Sequence, residues 1–102
     1  MEIEMNLPTP STLHVKAYGR LDLDNSVEYG TKIKDYVEDN DGIRELILDF
    51  SKIDFISSFG LKVLLELHKH MQEIGTMKIQ NASETILKSF KMVGFDMFLK
   101  IE

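Results

Sequence analysis

Two adjacent hydroxyls, Ser57 and Ser58, stand where an alcohol can do more than solvate a loop. The run Ser51-Lys52-Ile53-Asp54-Phe55-Ile56-Ser57-Ser58-Phe59-Gly60-Leu61 follows a short apolar strand, turns, and opens a long apolar helix. If Ser58 starts that helix, its oxygen can accept from backbone N–H groups that a first turn leaves without partners. The same N–H groups and the helix dipole suit a phosphate. Phosphorylation would add about −1.5 to −2 charges and three acceptor oxygens at that point. A few kcal/mol lost at an interface changes affinity by orders of magnitude, so one hydroxyl can switch docking without a large change of shape. The plainer alternative is that Ser57 or Ser58 only caps the helix. Phe59 also has two readings, a core ring tucked under the sheet or an exposed anchor at a partner interface, where aromatics are enriched. Its place near the first turn at a loop tip favours exposure.

Other chemistries find less support. His68 and His70 are two apart on a helix, point in different directions and cannot share a metal. Asp22, Asp24, Asp39 and Asp41 follow no calcium-loop spacing and read as solvated loop acids. Neither Ser-x-x-Lys nor Gly-x-Ser-x-Gly occurs, and a hydrolase using Ser58 as nucleophile would lack a placed base. Dinucleotide and Walker patterns are missing too, so nothing asks for a cofactor.

The elements that would hold the serines can be read from hydrophobic period. Met1, Ile3 and Met5 alternate with Glu2, Glu4 and Asn6, a half-buried strand stopped at Pro8-Thr9-Pro10-Ser11. Leu13, Val15 and Ala17 alternate with His14, Lys16 and Tyr18, and Gly19 is expected to end this second strand of an antiparallel hairpin. A loop over residues 20–24 leads to a helix with Asn25 and Glu28 at capping-box spacing and a stripe of Tyr29, Ile33, Tyr36 and Val37. Leu46-Ile47-Leu48 reads as a strand covered on both faces. The helix from Ser58 to Ile74, about 25 Å long, carries Leu61, Leu64, Leu65, Leu67 and Met71 on one broad face, and Gly75 is placed to end it in the left-handed conformation. Met77 and Ile79 mark a further strand. Asn81 and Glu84 repeat the capping spacing ahead of Ile86, Leu87, Phe90 and Val93, and Gly94 stops that helix. The apolar tail, with Phe95, Met97, Phe98, Leu99 and Ile101, should pack, and Met92 and Met97 read as core filler. Helices between strands imply right-handed crossovers. The expected fold is a single α/β domain over residues 1–102: a mixed, mostly parallel sheet of about four to five strands, about three helices and an N-terminal antiparallel hairpin.

Composition bounds the partners. The chain has 102 residues, 43% apolar and 28% charged, as in an ordinary globular protein. No segment nears the roughly 20 apolar residues of a membrane span, and no secretory signal is seen. The net charge of −5 comes with no basic cluster, which argues against nucleic acid and slightly favours a basic protein partner. The absence of cysteine excludes disulfides and fits a reducing interior.

Taken in order, these motifs resemble the STAS domain of bacterial anti-anti-sigma factors over nearly the whole chain. The likeness rests on Gly19-Arg20-Leu21-Asp22 after the second strand and on Leu48-Asp49-Phe50 leading to Ile53-Asp54-Phe55-Ile56. Serine then Gly60-Leu61 opening a helix, the later Gly75, and Val93-Gly94-Phe95 before an apolar end complete it. The family loop reads Asp-Ser-Ser-Gly-Leu or Asp-Ser-Thr-Gly-Leu. Aligned on Gly60-Leu61, its phosphorylated serine falls on Ser58, with Ser57 the second candidate, and a loop acid near the phosphorylation site falls on Asp22. The family's aspartate before the serine is Ser57 here, which makes the unmodified corner less acidic, and the small residue after it is Phe59. Many members also add a C-terminal helix where this chain reaches Glu102.

The resemblance implies a cytoplasmic, non-enzymatic anti-sigma factor antagonist regulating sigma-factor-dependent transcription. It would bind a cognate anti-sigma factor that is a GHKL-type serine kinase through Asp22, Ser57, Ser58, Phe59 and Gly60. Phosphorylation at Ser58 would switch it off, and a PP2C-type phosphatase would reverse the switch. The alternative is a STAS scaffold without the switch, or the small subunit of a lipid-transport complex.

Overall fold

The computed structural model describes residues Met1–Glu102. In chain order the elements are β1 (Glu2–Thr9), β2 (Thr12–Leu21), α1 (Leu23–Glu38), β3 (Glu45–Asp49), β4 (Ile53–Ile56), α2 (Ser58–Gln72), β5 (Thr76–Gln80), α3 (Glu84–Met92), a 3₁₀ turn (Phe95–Met97) and β6 (Lys100–Ile101). The sheet runs β1-β2-β3-β5-β6, with β4 paired to β2. Only the β1–β2 hairpin is antiparallel; every other pairing is parallel. The expected fold class holds, with six strands rather than four or five.

The additional strand lies where a turn was expected. β2 pairs with β3 over Thr12–Lys16 and then with β4 over Gly19–Leu21. Between the two, Phe50–Lys52 leave the ladder, and the Gly19 amide donates to the Lys52 carbonyl at 2.9 Å. β3 and β4 are thus one strand broken by a three-residue excursion. Gly19 does not end β2; at φ 110° it carries the strand through the register shift. Apolar pattern alone does not show such a break, because Ile53 and Ile56 continue the buried side with exposed Asp54 and Phe55 between them.

Leu13, Val15, Ala17, Leu46, Leu48, Met77 and Ile79 fill one face of the sheet and are buried. Registers Leu13–Leu46–Met77 and Val15–Leu48–Ile79 align them in rows. α1 packs on β2, α2 on β5, and the two helices on each other. Tyr29, Ile33, Leu64, Leu67 and Met71 supply the facing layer. Phe90 of α3 closes the core against the rings of Phe50 and Phe95, with centroids at 6.1 and 5.9 Å.

The opposite face is polar. Ile47 is only half-buried there, so the expectation that β3 is covered on both sides fails. Its neighbours in register are His14 and Lys78. Around them the Tyr18 hydroxyl donates to Glu4 at 2.5 Å, which pushes its pKa up to about 12. Lys78 lies 3.8 Å from Glu45 and 3.3 Å from Glu102. Burial pushes the Asp49 carboxyl up, but the Ser51 backbone and side chain, the Asn81 amide and His14 together hold it below the usual carboxylate range.

Three ends differ from expectation. α1 is capped by Asp22 rather than Asn25, and α3 by Ser83 rather than Asn81. Asn81 instead takes φ 64° on leaving β5. Met92 and Met97 are not core filler; both are 86% exposed. Gly75 is not in the left-handed region. A Cβ there would lie 1.7 Å from the Arg44 carbonyl oxygen, the acceptor for the Thr76 amide at the start of β5. Glycine is required by close backbone approach, so Gly75→Ala should cost about 3 kcal/mol in urea unfolding. Gly42→Ala, whose Cβ would meet nothing nearer than 3.5 Å, should change stability by less than about 1 kcal/mol.

Candidate functional site

Two parallel neighbours, β2 and β4, end side by side, and each feeds the N-terminus of a helix. At the end of β2, Asp22 caps α1: its Oδ1 accepts from the Asn25 amide at 3.0 Å. At the end of β4, Ser57 caps α2: its Oγ accepts from the Gly60 amide at 3.0 Å. The same hydroxyl donates to the Leu21 carbonyl at 2.9 Å. The Ser57 backbone amide donates to that carbonyl too, also at 2.9 Å. Ser57 therefore joins the two helix starts, with its hydroxyl proton already committed to the Leu21 carbonyl.

Ser58 is not the cap but the first residue of α2, and it is exposed. Its hydroxyl takes part in none of the side-chain bonds of this corner. Gly60 and Leu61 amides are satisfied by the Ser57 side chain and carbonyl, which leaves the amides of Ser58 and Phe59 as the open donors of the first turn. That turn contains no acid, whereas the first turn of α1 holds Asp24. An anion at Ser58 would meet an uncompensated dipole and unpartnered N–H groups.

Gly60 is buried where α2 presses on α1. A Cβ there would stand 2.7 Å from Ile56 Cγ1, 3.0 Å from the Leu21 oxygen and 3.1 Å from Ser26 Oγ. The Ser26 hydroxyl beneath it is fully buried without a hydrogen-bond partner, as is that of Tyr29, whose burial pushes its pKa well up. Phe59 is half-buried against the core and lines a groove of about 280 Å³ between α1 and α2, with Val27, Gly30, Val63, Lys34 and His70 on its walls. The ring is neither the exposed anchor favoured from sequence nor a sealed core residue.

The structure brings Asp22, Ser57, Ser58, Phe59 and Gly60 to one rim. It adds residues that the sequence reading passed over. Leu23 is 58% and Val27 50% exposed on the outer side of α1, and Phe55 is 39% exposed under the Arg20 guanidinium, 4.2 Å from its ring centroid. The signal was present in α1: Leu23 and Val27 are spaced i, i+4 but out of phase with Tyr29, Ile33 and Val37. His68 meets the Phe98 ring at a tilt of 46° while His70 lines the groove, and no three acidic or histidine side chains converge as metal ligands.

The site is thus an exposed serine at the start of α2, beside the start of α1, on the rim of a mixed α/β sheet. The chain belongs to the STAS domain family, whose model matches residues 5–102. Solved structures share the fold at low identity. The unphosphorylated anti-sigma factor antagonist SpoIIAA superposes with a TM-score of 0.85 at 20% identity, covering 99% of this chain and 88% of the other. Phosphorylated SpoIIAA, a Bacillus cell fate determinant, gives 0.77 at 20% identity, covering 99% and 91%. An anti-sigma factor antagonist from Mycobacterium paratuberculosis gives 0.81 at 20% identity, covering 98% and 85%. No helix is long and apolar enough to cross a membrane.

The division of labour between the serines has a measurable consequence. Ser57→Ala should lower unfolding free energy by about 1 kcal/mol through loss of the cap. Ser58→Ala should leave it within about 0.5 kcal/mol in the same urea titration.

Proposed function

We propose that this protein is an anti-sigma factor antagonist. Unmodified, it docks on a cognate anti-sigma factor through the rim around Ser58, and phosphorylation of that serine releases it. The observation that carries this reading is the contrast within the serine pair: Ser57 is consumed in structure, and Ser58 is presented to solvent over open backbone donors. The structural kinship with SpoIIAA, described in both unphosphorylated and phosphorylated forms, supports it.

The partner would be a GHKL-type serine kinase that brings its own ATP and Mg²⁺. The Ser58 hydroxyl attacks the γ-phosphorus, its proton passes to a base of the kinase, and ADP leaves. This chain is substrate, not enzyme. Before transfer the rim offers Leu23, Val27 and part of Phe59 for apolar contact, beside Asp22 and Arg20. Afterwards a doubly charged group stands among those side chains, and an interface that buries it must strip its water or find it a cation. A PP2C-type phosphatase would restore the hydroxyl. Such a cycle belongs in the cytoplasm, where sigma factors act.

Incubation with ATP, Mg²⁺ and the kinase should add one phosphate, read by mass spectrometry; Ser57→Ala should still accept it and Ser58→Ala should not. A chain left unmodified by every candidate kinase would favour the switchless scaffold or transport-subunit reading. Separately, Leu23→Asp should weaken anti-sigma factor binding about tenfold or more with little change in melting temperature, because the residue is exposed and not part of the core.

A further inference from the structure

The two most exposed large apolar side chains belong to the C-terminal end and are neighbours in sequence of neither Asp22 nor Ser58. Met92 and Met97 are each 86% exposed, Val93 50% and Phe98 48%. They follow one another across the last turn of α3 and the 3₁₀ turn. That stretch is drawn into a compact knob by the bonds Gly94 N to Lys91 O, Met97 N to Gly94 O and Phe98 N to Phe95 O. Underneath, the knob is anchored. Phe95 is buried, the Phe98 ring packs edge-on to it at 5.5 Å, and its other side meets His68 of α2 at 5.2 Å. The outward methionines are therefore carried on a fixed base.

The surroundings are basic in a chain of net charge −5. Lys88, Lys91 and Lys100 flank the apolar residues, with Asp96 the one acid among them, and all three lysines are exposed. None is spent in an ion pair; the side-chain bridges of the molecule engage Lys32, Lys78 and His14 instead.

We infer that this knob is a peripheral docking surface for an anionic lipid bilayer, with Met92, Val93, Met97 and Phe98 entering the headgroup region and Lys88, Lys91 and Lys100 lying on the phosphates. Charge selects the occupant. A second copy of the chain would set lysines against lysines around a shared apolar centre, whereas an anionic surface satisfies every one of them. Shape selects between lipid and a protein helix. The four apolar side chains line neither the groove between α1 and α2 nor the one around Ile43 and Glu73, and both methionines are 86% exposed. A helix seats in a groove, while a bilayer interface yields around protrusions. The inference does not depend on Ser58 or on the anti-sigma reading.

Co-sedimentation with sucrose-loaded vesicles tests it, comparing phosphatidylcholine alone with phosphatidylcholine containing phosphatidylglycerol. Binding to the anionic vesicles should exceed binding to the neutral ones about tenfold or more and fall several-fold in high salt. It should be lost in Met92→Glu/Met97→Glu and weakened in Lys88→Glu/Lys91→Glu. Both pairs are exposed, so melting temperature should hold, and Ser58→Ala should bind vesicles like the parent. Equal or absent binding to the two vesicle types overturns the inference. So does anionic binding that survives the methionine changes, which would be adhesion by charge alone. A concentration-dependent dimer abolished by Met97→Glu would overturn it in favour of a second copy. Capture of a synthetic acidic amphipathic peptide without vesicle binding would overturn it in favour of a protein partner.

Discussion

One carbonyl oxygen, that of Leu21, receives both the amide and the hydroxyl of Ser57. It is the last acceptor of β2, and Ser57 is the residue that turns β4 into α2. The double contact fixes the start of one helix against the start of the other. Asp22 can then cap α1 one residue further on, and Gly60 packs so near the same oxygen that an added Cβ would stand 3.0 Å from it. Buried polar groups are mostly paired, and at the Leu21 carbonyl the pairing with Ser57 is what sets the geometry. Ser58 inherits its position from it.

The pairing also explains why an acid can be absent before the serine. The position that carries aspartate in the resembling loops is filled here by Ser57, which performs the capping with a neutral oxygen. The corner is one negative charge lighter than those loops. The first turn of α2 holds no acid, so only the neutral oxygen of Ser57 faces the positive end of its dipole.

Much of this was legible in the sequence because hydrophobic period is a direct record of burial. The alternation of Leu13, Val15 and Ala17 and the spacing of Tyr29, Ile33 and Val37 both reappear as buried faces. What period cannot record is a contact made by backbone. The break between β3 and β4, the passage of β2 through Gly19, and the collision that reserves Gly75 for glycine all depend on atoms every residue shares. Caps were misplaced for a related reason: Asn25 and Asn81 have the right chemistry, but Asp22 and Ser83 sit where the chain first turns helical. At the rim, the resemblance favoured Ser58 over Ser57, and the hydrogen bonds show Ser57 to be the cap and Ser58 the exposed hydroxyl. Apolar type misled at the C-terminal end, where Met92 and Met97 look like filler and stand in solvent.

The shared use of β2 also orders assembly on the ribosome. Its hairpin with β1 closes within the first 21 residues, from contacts short in sequence. Its other edge stays a row of bare amides and carbonyls until residues 45–56 emerge to cover it in two instalments. A nascent chain paused between those points carries an open template for foreign strands.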